Sequence, residues 1–301
     1  MVRVWFDDLN VLNDLNMFYL IQLLNAVQYG LLLFLLASGL TLIFGIMGVM
    51  NLAHGSFYMI GAYLAYWLAR ITGSLWLAIP LGLVIALVIG VALEKTLFSR
   101  LYKRDHLYQV LLTFGLILIF EELRSMLFGD DVHGVGVPPL LDFSIRLTDT
   151  LSYPVYRLFL TGVCLLLAGG MVLVIQKTRL GMMIRAGSSN REMAASLGVN
   201  IPLLFTLVFA FGTALAAFAG MIAAPISSVF PGMGNQILII CFVVVVIGGI
   251  GSIYGAMIAS LAIGFADTLG KVLAPEFSGI AVYLLMAIIL LWRPQGLGKK
   301  A

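Results

Sequence analysis

Long apolar runs separated by short polar stretches dominate this chain. No Asp, Glu, Lys or Arg occurs between Asp14 and Arg70, between Arg70 and Glu94, or between Arg157 and Lys177. The longest such gap runs from Glu192 to Asp267. A helix crosses the hydrocarbon layer of a bilayer with about 20 apolar residues, so that gap holds more than one crossing. The pattern predicts nine spans, approximately 17–45, 54–70, 75–96, 107–128, 154–176, 201–224, 236–249, 252–270 and 278–293. The first exceeds one straight crossing, which predicts a tilted or broken helix. The seventh and eighth are short and Gly-interrupted, and a re-entrant pair there lowers the count. The expected fold is all-α: a single polytopic transmembrane bundle over residues 1–301, with about eight to nine segments.

Composition sharpens this picture. Hydrophobic residues make up 62% of the chain, charged residues 10%, and mean hydropathy is +1.09. A soluble domain carries about 25% charged residues, so this chain has too few to cover a water-facing surface. A net charge of +3, without a basic run interleaved with aromatics, argues against nucleic acid. Cys164 and Cys241 lie in apolar runs and read as buried thiols rather than a disulfide framework. The N-terminus carries Arg3, Asp7, Asp8 and Asp14 before an apolar run too long for a signal core, so no cleavable signal is expected.

Lys and Arg placement orients the spans. One basic loop holds Lys95, Arg100, Lys103 and Arg104, a second Lys177, Arg179, Arg185 and Arg191, and the C-terminus Arg293, Lys299 and Lys300. Alternating spans put all three groups on one side. The acidic loop with Asp130, Asp131, Asp142 and Asp149 falls on the other, with the N-terminal segment 1–16. The reading is N-terminus outside, C-terminus in the cytoplasm, and residues 177–200 a cytoplasmic loop.

Glycines cluster at Gly39, Gly45, Gly48, Gly55 and Gly61, and again at Gly248, Gly249, Gly251 and Gly255. Glycine permits close helix approach in lipid and broken helices around a cavity. Gly48, Gly55, Gly248, Gly249 and Gly251 are the expected helix-break positions. Both clusters are expected at the cytoplasmic end of a helix pair, and an internal repeat would place such interruptions at corresponding points.

Within the first cluster the apolar run breaks at a polar knot containing Asn51, His54, Ser56 and Tyr58. Asn51 or Ser56 is expected to cap the restarting helix. His54 reads either as a pathway or gate contact or as a histidine near the membrane edge bonded to backbone. Farther on, Asn190 is expected to cap a short helix starting near Arg191, with Glu192 in its first turn, Gly198 ending it and Pro202 opening the next span. Asp267, alone among apolar residues, reads either as an ion or substrate contact or as a partner of Lys271 one turn on.

The knot, with Asn51, Ala53, His54, Gly55, Tyr58, Met59, Gly61, Ala62 and Tyr63, closely resembles the signature of the LivH-type permeases of branched-chain amino acid ABC importers. The 178–202 stretch resembles that family's cytoplasmic loop. Glu192, Ala194, Ala195 and Gly198 match the wider Glu-Ala-Ala-x3-Gly pattern, with Met193 interrupting it. The 246–256 stretch looks like the family's late Gly-rich turn. Met182 and Asn190 depart from the commonest pattern, where Arg and Asp are frequent.

The resemblance implies an ABC importer permease fold in a bacterial inner membrane and transport by alternating access. Its expected partners are a second, LivM-like permease subunit, two cytoplasmic ATPase subunits and an extracytoplasmic binding protein. Arg185, Asn190, Arg191, Glu192, Ala194, Ala195 and Gly198 are then the ATPase-coupling loop. Branched-chain or other small hydrophobic amino acids are the expected cargo; urea or short amides, or ion-coupled secondary transport, are the alternatives. No G-x-x-x-x-G-K-[ST] loop and no H-E-x-x-H occurs. The chain is therefore expected to be no enzyme, with no catalytic residue, metal or cofactor of its own, and ATP and Mg bound by partner subunits.

Overall fold

The structure, a computed structural model, describes residues 2–102, 104–148 and 150–298, with side chains from residue 14 onward. The side chains of Arg3, Asp7 and Asp8, and residues Lys103, Asp149, Lys299 and Lys300, lie outside the described residues. Eleven α-helices are formed among the described residues: α1 (Val2–Met47), α2 (His54–Thr72), α3 (Leu75–Thr96), α4 (His106–Phe128), α5 (Val155–Lys177), α6 (Arg179–Ser189), α7 (Arg191–Ser196), α8 (Ile201–Ser227), α9 (Met233–Gly248), α10 (Ile253–Leu273) and α11 (Ser278–Trp292). Nine match the predicted spans, and α6 and α7 occupy the basic loop. Among the described residues, six helical stretches are long and apolar enough to cross a membrane: 14–47, 75–100, 155–177, 201–227, 253–273 and 275–292.

Two expectations change here. The first span is one unbroken helix that continues back through the N-terminal segment. The eighth is not short: α10 has 21 residues, while α9 has 16. A four-residue turn with positive φ at Gly249 and Gly251 separates them.

One end of the bundle carries the antiparallel pair β1 (Ser144–Arg146) and β2 (Ser152–Pro154). A backbone bridge from His133 to Val229 ties the same loop to the α8–α9 connection. Arg124 closes α4 there, donating to the Gly129 carbonyl at 2.6 Å and to Asp130 at 2.9 Å. The Arg124 bond, with a second from the Ser125 hydroxyl, holds the exposed Asp130 carboxyl below the usual carboxylate range. The opposite end carries α6 and α7. The described members of all three basic groups gather at this end. Glu94, next to Lys95, takes a 2.6 Å bond from Thr206 in the first turns of α8. The tail after Arg293 pairs with the α9–α10 turn through Leu297 to Ile247 and Gly298 to Gly248.

Helices α1 and α8 form the centre. Every residue from Gly30 to Ile43 is buried, as is most of α8 from Val208 to Ala224. Lipid offers apolar side chains no less than the core does, so close backbone contact holds such a bundle. A Cβ placed on Gly39 would stand 2.6 Å from the Gly212 carbonyl oxygen, and one on Gly45 would stand 2.7 Å from the Gly251 Cα. The two glycine clusters therefore meet at Gly45 and Gly251. Gly55 and Gly61 lie deeper, against Gly234 and Ala217. Gly234 is fourteen residues from the end of α9, or about 21 Å at 1.5 Å per residue. The first cluster is thus not confined to one end. Gly55, in the first turn of α2 directly after the break, also packs against Gly234.

Candidate functional site

The polar knot is a break, as its sequence predicts, but a deeply placed one. Gly48 ends α1 with φ +65°, residues 48–53 form a loop, and α2 restarts at His54. His54 is fully buried, with Nε2 3.0 Å from the Leu36 carbonyl oxygen. A carbonyl only accepts, so Nε2 carries the proton and donates it. Leu36 lies eleven residues before the end of α1, about 16 Å along its axis. The loop therefore folds back into the bundle, and His54 sits far from the membrane edge. Its bond to backbone is present, as one of the two sequence readings had it.

The capping expectation is overturned. Ala53 occupies the cap position of α2, and no side chain caps it. Asn51 is fully buried, and both its amide atoms lack a hydrogen-bond partner among the described residues. Ser56 is buried inside the first turn of α2. His54→Ala is expected to cost about 2–4 kcal/mol, from one lost hydrogen bond and the vacated volume. Thermal inactivation of the purified protein measures this. An unchanged midpoint would mean that the His54–Leu36 bond does not anchor the loop.

Of the four knot residues, only Tyr58 reaches a cavity of about 350 Å³ in the β-hairpin half of the bundle. Its polar lining comes from α1 through Gln22, Asn25 and Gln28, from α5 through Arg157, and from α10 through Asp267 and Lys271. Lys271 binds Asp267 at 2.6 Å, the local partner the one-turn spacing predicts. The Arg157 guanidinium donates to Asn25 Oδ1 at 2.7 Å, and the Tyr153 hydroxyl meets the same oxygen at 3.3 Å. Sequence reading passed over Gln22, Asn25 and Gln28 because none is charged. Their spacing of three, which lines up one helical face within an apolar run, was the available signal.

At the opposite end, the predicted short helix forms. Asn190 caps α7 by accepting from the Met193 N–H at 3.0 Å, with Glu192 in the first turn. Gly198, at φ +89°, reverses the chain, and its N–H and that of Val199 close on Ala195 and Ala194. Asn200 then caps α8 at the Leu203 N–H, with Pro202 in the first turn. Ala194 is buried, and the Arg191 guanidinium lies 5.5 Å from the centre of the Phe205 ring. Arg185 bonds back to the Ile175 carbonyl in α5. Ala195 and Glu192 are exposed, as are Met193 at 65% and Leu197 at 79%. The element is therefore fixed to the bundle on one side and open on the other. Among the described residues no cluster of His, Cys, Asp or Glu is arranged to hold a metal ion.

Comparison with known proteins fits this geometry. Residues 22–291 match the family model described as the permease component of branched-chain amino acid transport systems. The chain is 29% identical to BraD of Pseudomonas aeruginosa, a high-affinity branched-chain amino acid transport system permease protein, over 93% of this chain and 95% of that one. It is 29% identical to the corresponding LivH protein of Escherichia coli, over 93% and 96% of the two chains. The permease protein LivM of Salmonella typhimurium is 29% identical over 87% of this chain and 67% of its own length.

Proposed function

The chain belongs to the family of permease components of branched-chain amino acid transport systems, and we propose that it is the membrane-spanning subunit of an ATP-dependent importer. Its cargo is a branched-chain or similar small hydrophobic amino acid, moved by alternating access. The observation that carries this is the α7 element: a capped helix, fixed on one face, with Met193 and Leu197 exposed at the basic end of the bundle. An exposed short helix of this kind suits a groove on a soluble partner. ATP and Mg belong to two ATPase subunits docked there, and this chain carries out no covalent chemistry.

A second permease subunit, LivM-like, completes the pathway, and a binding protein delivers cargo at the β-hairpin end. The similarity to a LivM protein supports a pairing of related subunits. Clustering of the described basic residues at the α7 end supports a cytoplasmic C-terminus and an extracytoplasmic N-terminus in a bacterial inner membrane. Asp142→Cys and Ser188→Cys are expected to react with an impermeant thiol reagent from opposite faces of the membrane. Reaction of both from one face overturns the orientation. Transport that strictly requires ATP and the binding protein tests the function itself; uptake driven by an ion gradient alone would replace it with secondary transport.

A further inference from the structure

We propose that the cavity in the β-hairpin half of the bundle is a waypoint for a free amino acid, with Arg157 receiving its carboxylate and Asp267 its ammonium group. The proposal rests on the amino-acid reading above and refines it. At about 350 Å³ the cavity lies at the small end of ligand pockets, the size for one small molecule. Gln28 lines it, is only 6% exposed, and makes no side-chain hydrogen bond among the described residues. Its amide faces the cavity, where a polar guest meets both a donor and an acceptor.

The charges are arranged for a zwitterion. Asn25 holds Arg157 through one nitrogen, and among the described residues no carboxylate pairs with this guanidinium. An Arg fork fixed in this way presents its remaining N–H groups to a carboxylate with two parallel bonds. Asp267 has a 15% exposed side chain, and its Lys271 partner is 62% exposed. An incoming ammonium would take the place of the Lys271 ammonium, which turns out to water, so the carboxylate keeps a cationic partner throughout. Leu32, Ile226 and Ile237 supply an apolar wall for a branched side chain. Urea or a short amide carries no charge to pair with either group.

Thiol protection in membranes holding the assembled transporter tests this. Thr268 lines the cavity, and Thr268→Cys is made with both native cysteines replaced by alanine. Leucine at ten times its dissociation constant is expected to slow modification roughly tenfold, by simple occupancy. Leucinamide, which lacks the carboxylate, and 4-methylpentanoate, which lacks the amine, are expected to protect far less. Arg157→Gln should erase the protection by leucine, and Arg157→Lys should keep part of it. Should Arg157→Gln fail to insert, Gln28→Leu is expected to weaken protection several-fold. Equal protection with and without Arg157, or by leucinamide and leucine alike, overturns the proposal. So does absence of protection in a transporter that takes up leucine. A complete transporter that takes up urea but no leucine overturns the amino-acid reading itself.

Discussion

Gly61→Leu is expected to leave no correctly assembled protein in the membrane. A Cβ at this position would fall on the backbone of Ala217, and backbone cannot rotate away as a side chain does. Helices α2 and α8 would have to separate, although α8 is at the centre of the bundle and α2 leads directly from the buried loop. Overpacking a well-filled core typically costs about 1–3 kcal/mol. Here the obstruction is main chain on a fully buried face, so the upper end of that range or beyond is expected. Gly115→Leu and Gly169→Leu are the controls. Both positions are helical with nothing within 4 Å of an added Cβ, and leaving glycine favours a helix by up to about 1 kcal/mol. Detergent-extracted yield and thermal midpoint should fall sharply for Gly61→Leu and hold for the controls. A Gly61→Leu protein as stable as the parent would mean that α2 and α8 are not in backbone contact.

Met193→Asp with Leu197→Asp is expected to cut ATP-dependent uptake by tenfold or more while leaving membrane insertion unchanged. Each change places a carboxylate where an exposed apolar side chain stands, on α7 at Met193 and at its C-terminal cap at Leu197. A charge forced into a partner's groove commonly costs 2 kcal/mol or more at a contact that matters, and about 1.4 kcal/mol is already a factor of ten. Gly198 gives an independent handle. Nothing lies within 4 Å of a Cβ there, so only its φ of +89° resists substitution. Gly198→Asn should be mild and Gly198→Val severe, because β-branched residues tolerate positive φ least. Co-purification of the ATPase with each variant, measured beside uptake, separates lost docking from lost coupling. Full uptake by the double Asp variant and by Gly198→Val would remove α7 as the coupling element.

The spans were legible because run length and the absence of charge are properties of contiguous residues. The same holds for α7, whose capping residue Asn190 and terminating Gly198 act within a turn of the helix they delimit. The polar knot was legible only in part. Its residues show where α1 must stop, but the group that receives His54 is the Leu36 carbonyl, eighteen residues back. The depth of the break therefore depends on how the loop folds over α1. Gly55 was legible in part for a related reason. Lack of a Cβ serves both a helix break and a close crossing, and only the position of Gly234 reveals the second. The cavity was the least legible feature. Arg157 and Asp267 are separated by most of the second half of the chain; the sequence offers Asp267 only its neighbour Lys271 and marks Arg157 not at all, and the fold alone brings both to one cavity.

The link between α7 and α8 also sets how force travels. Leu197, Gly198 and Val199 each donate a main-chain bond back into α7, and Asn200 holds the first turn of α8. No residue of the link is left as a spring. Six residues into α8, Thr206 grips the buried Glu94 carboxylate at the end of α3. On the proposed function, a push on the short helix would reach two long rods, α8 and α3, at once. The element would then work as a crank, its stroke set by the partner that turns it.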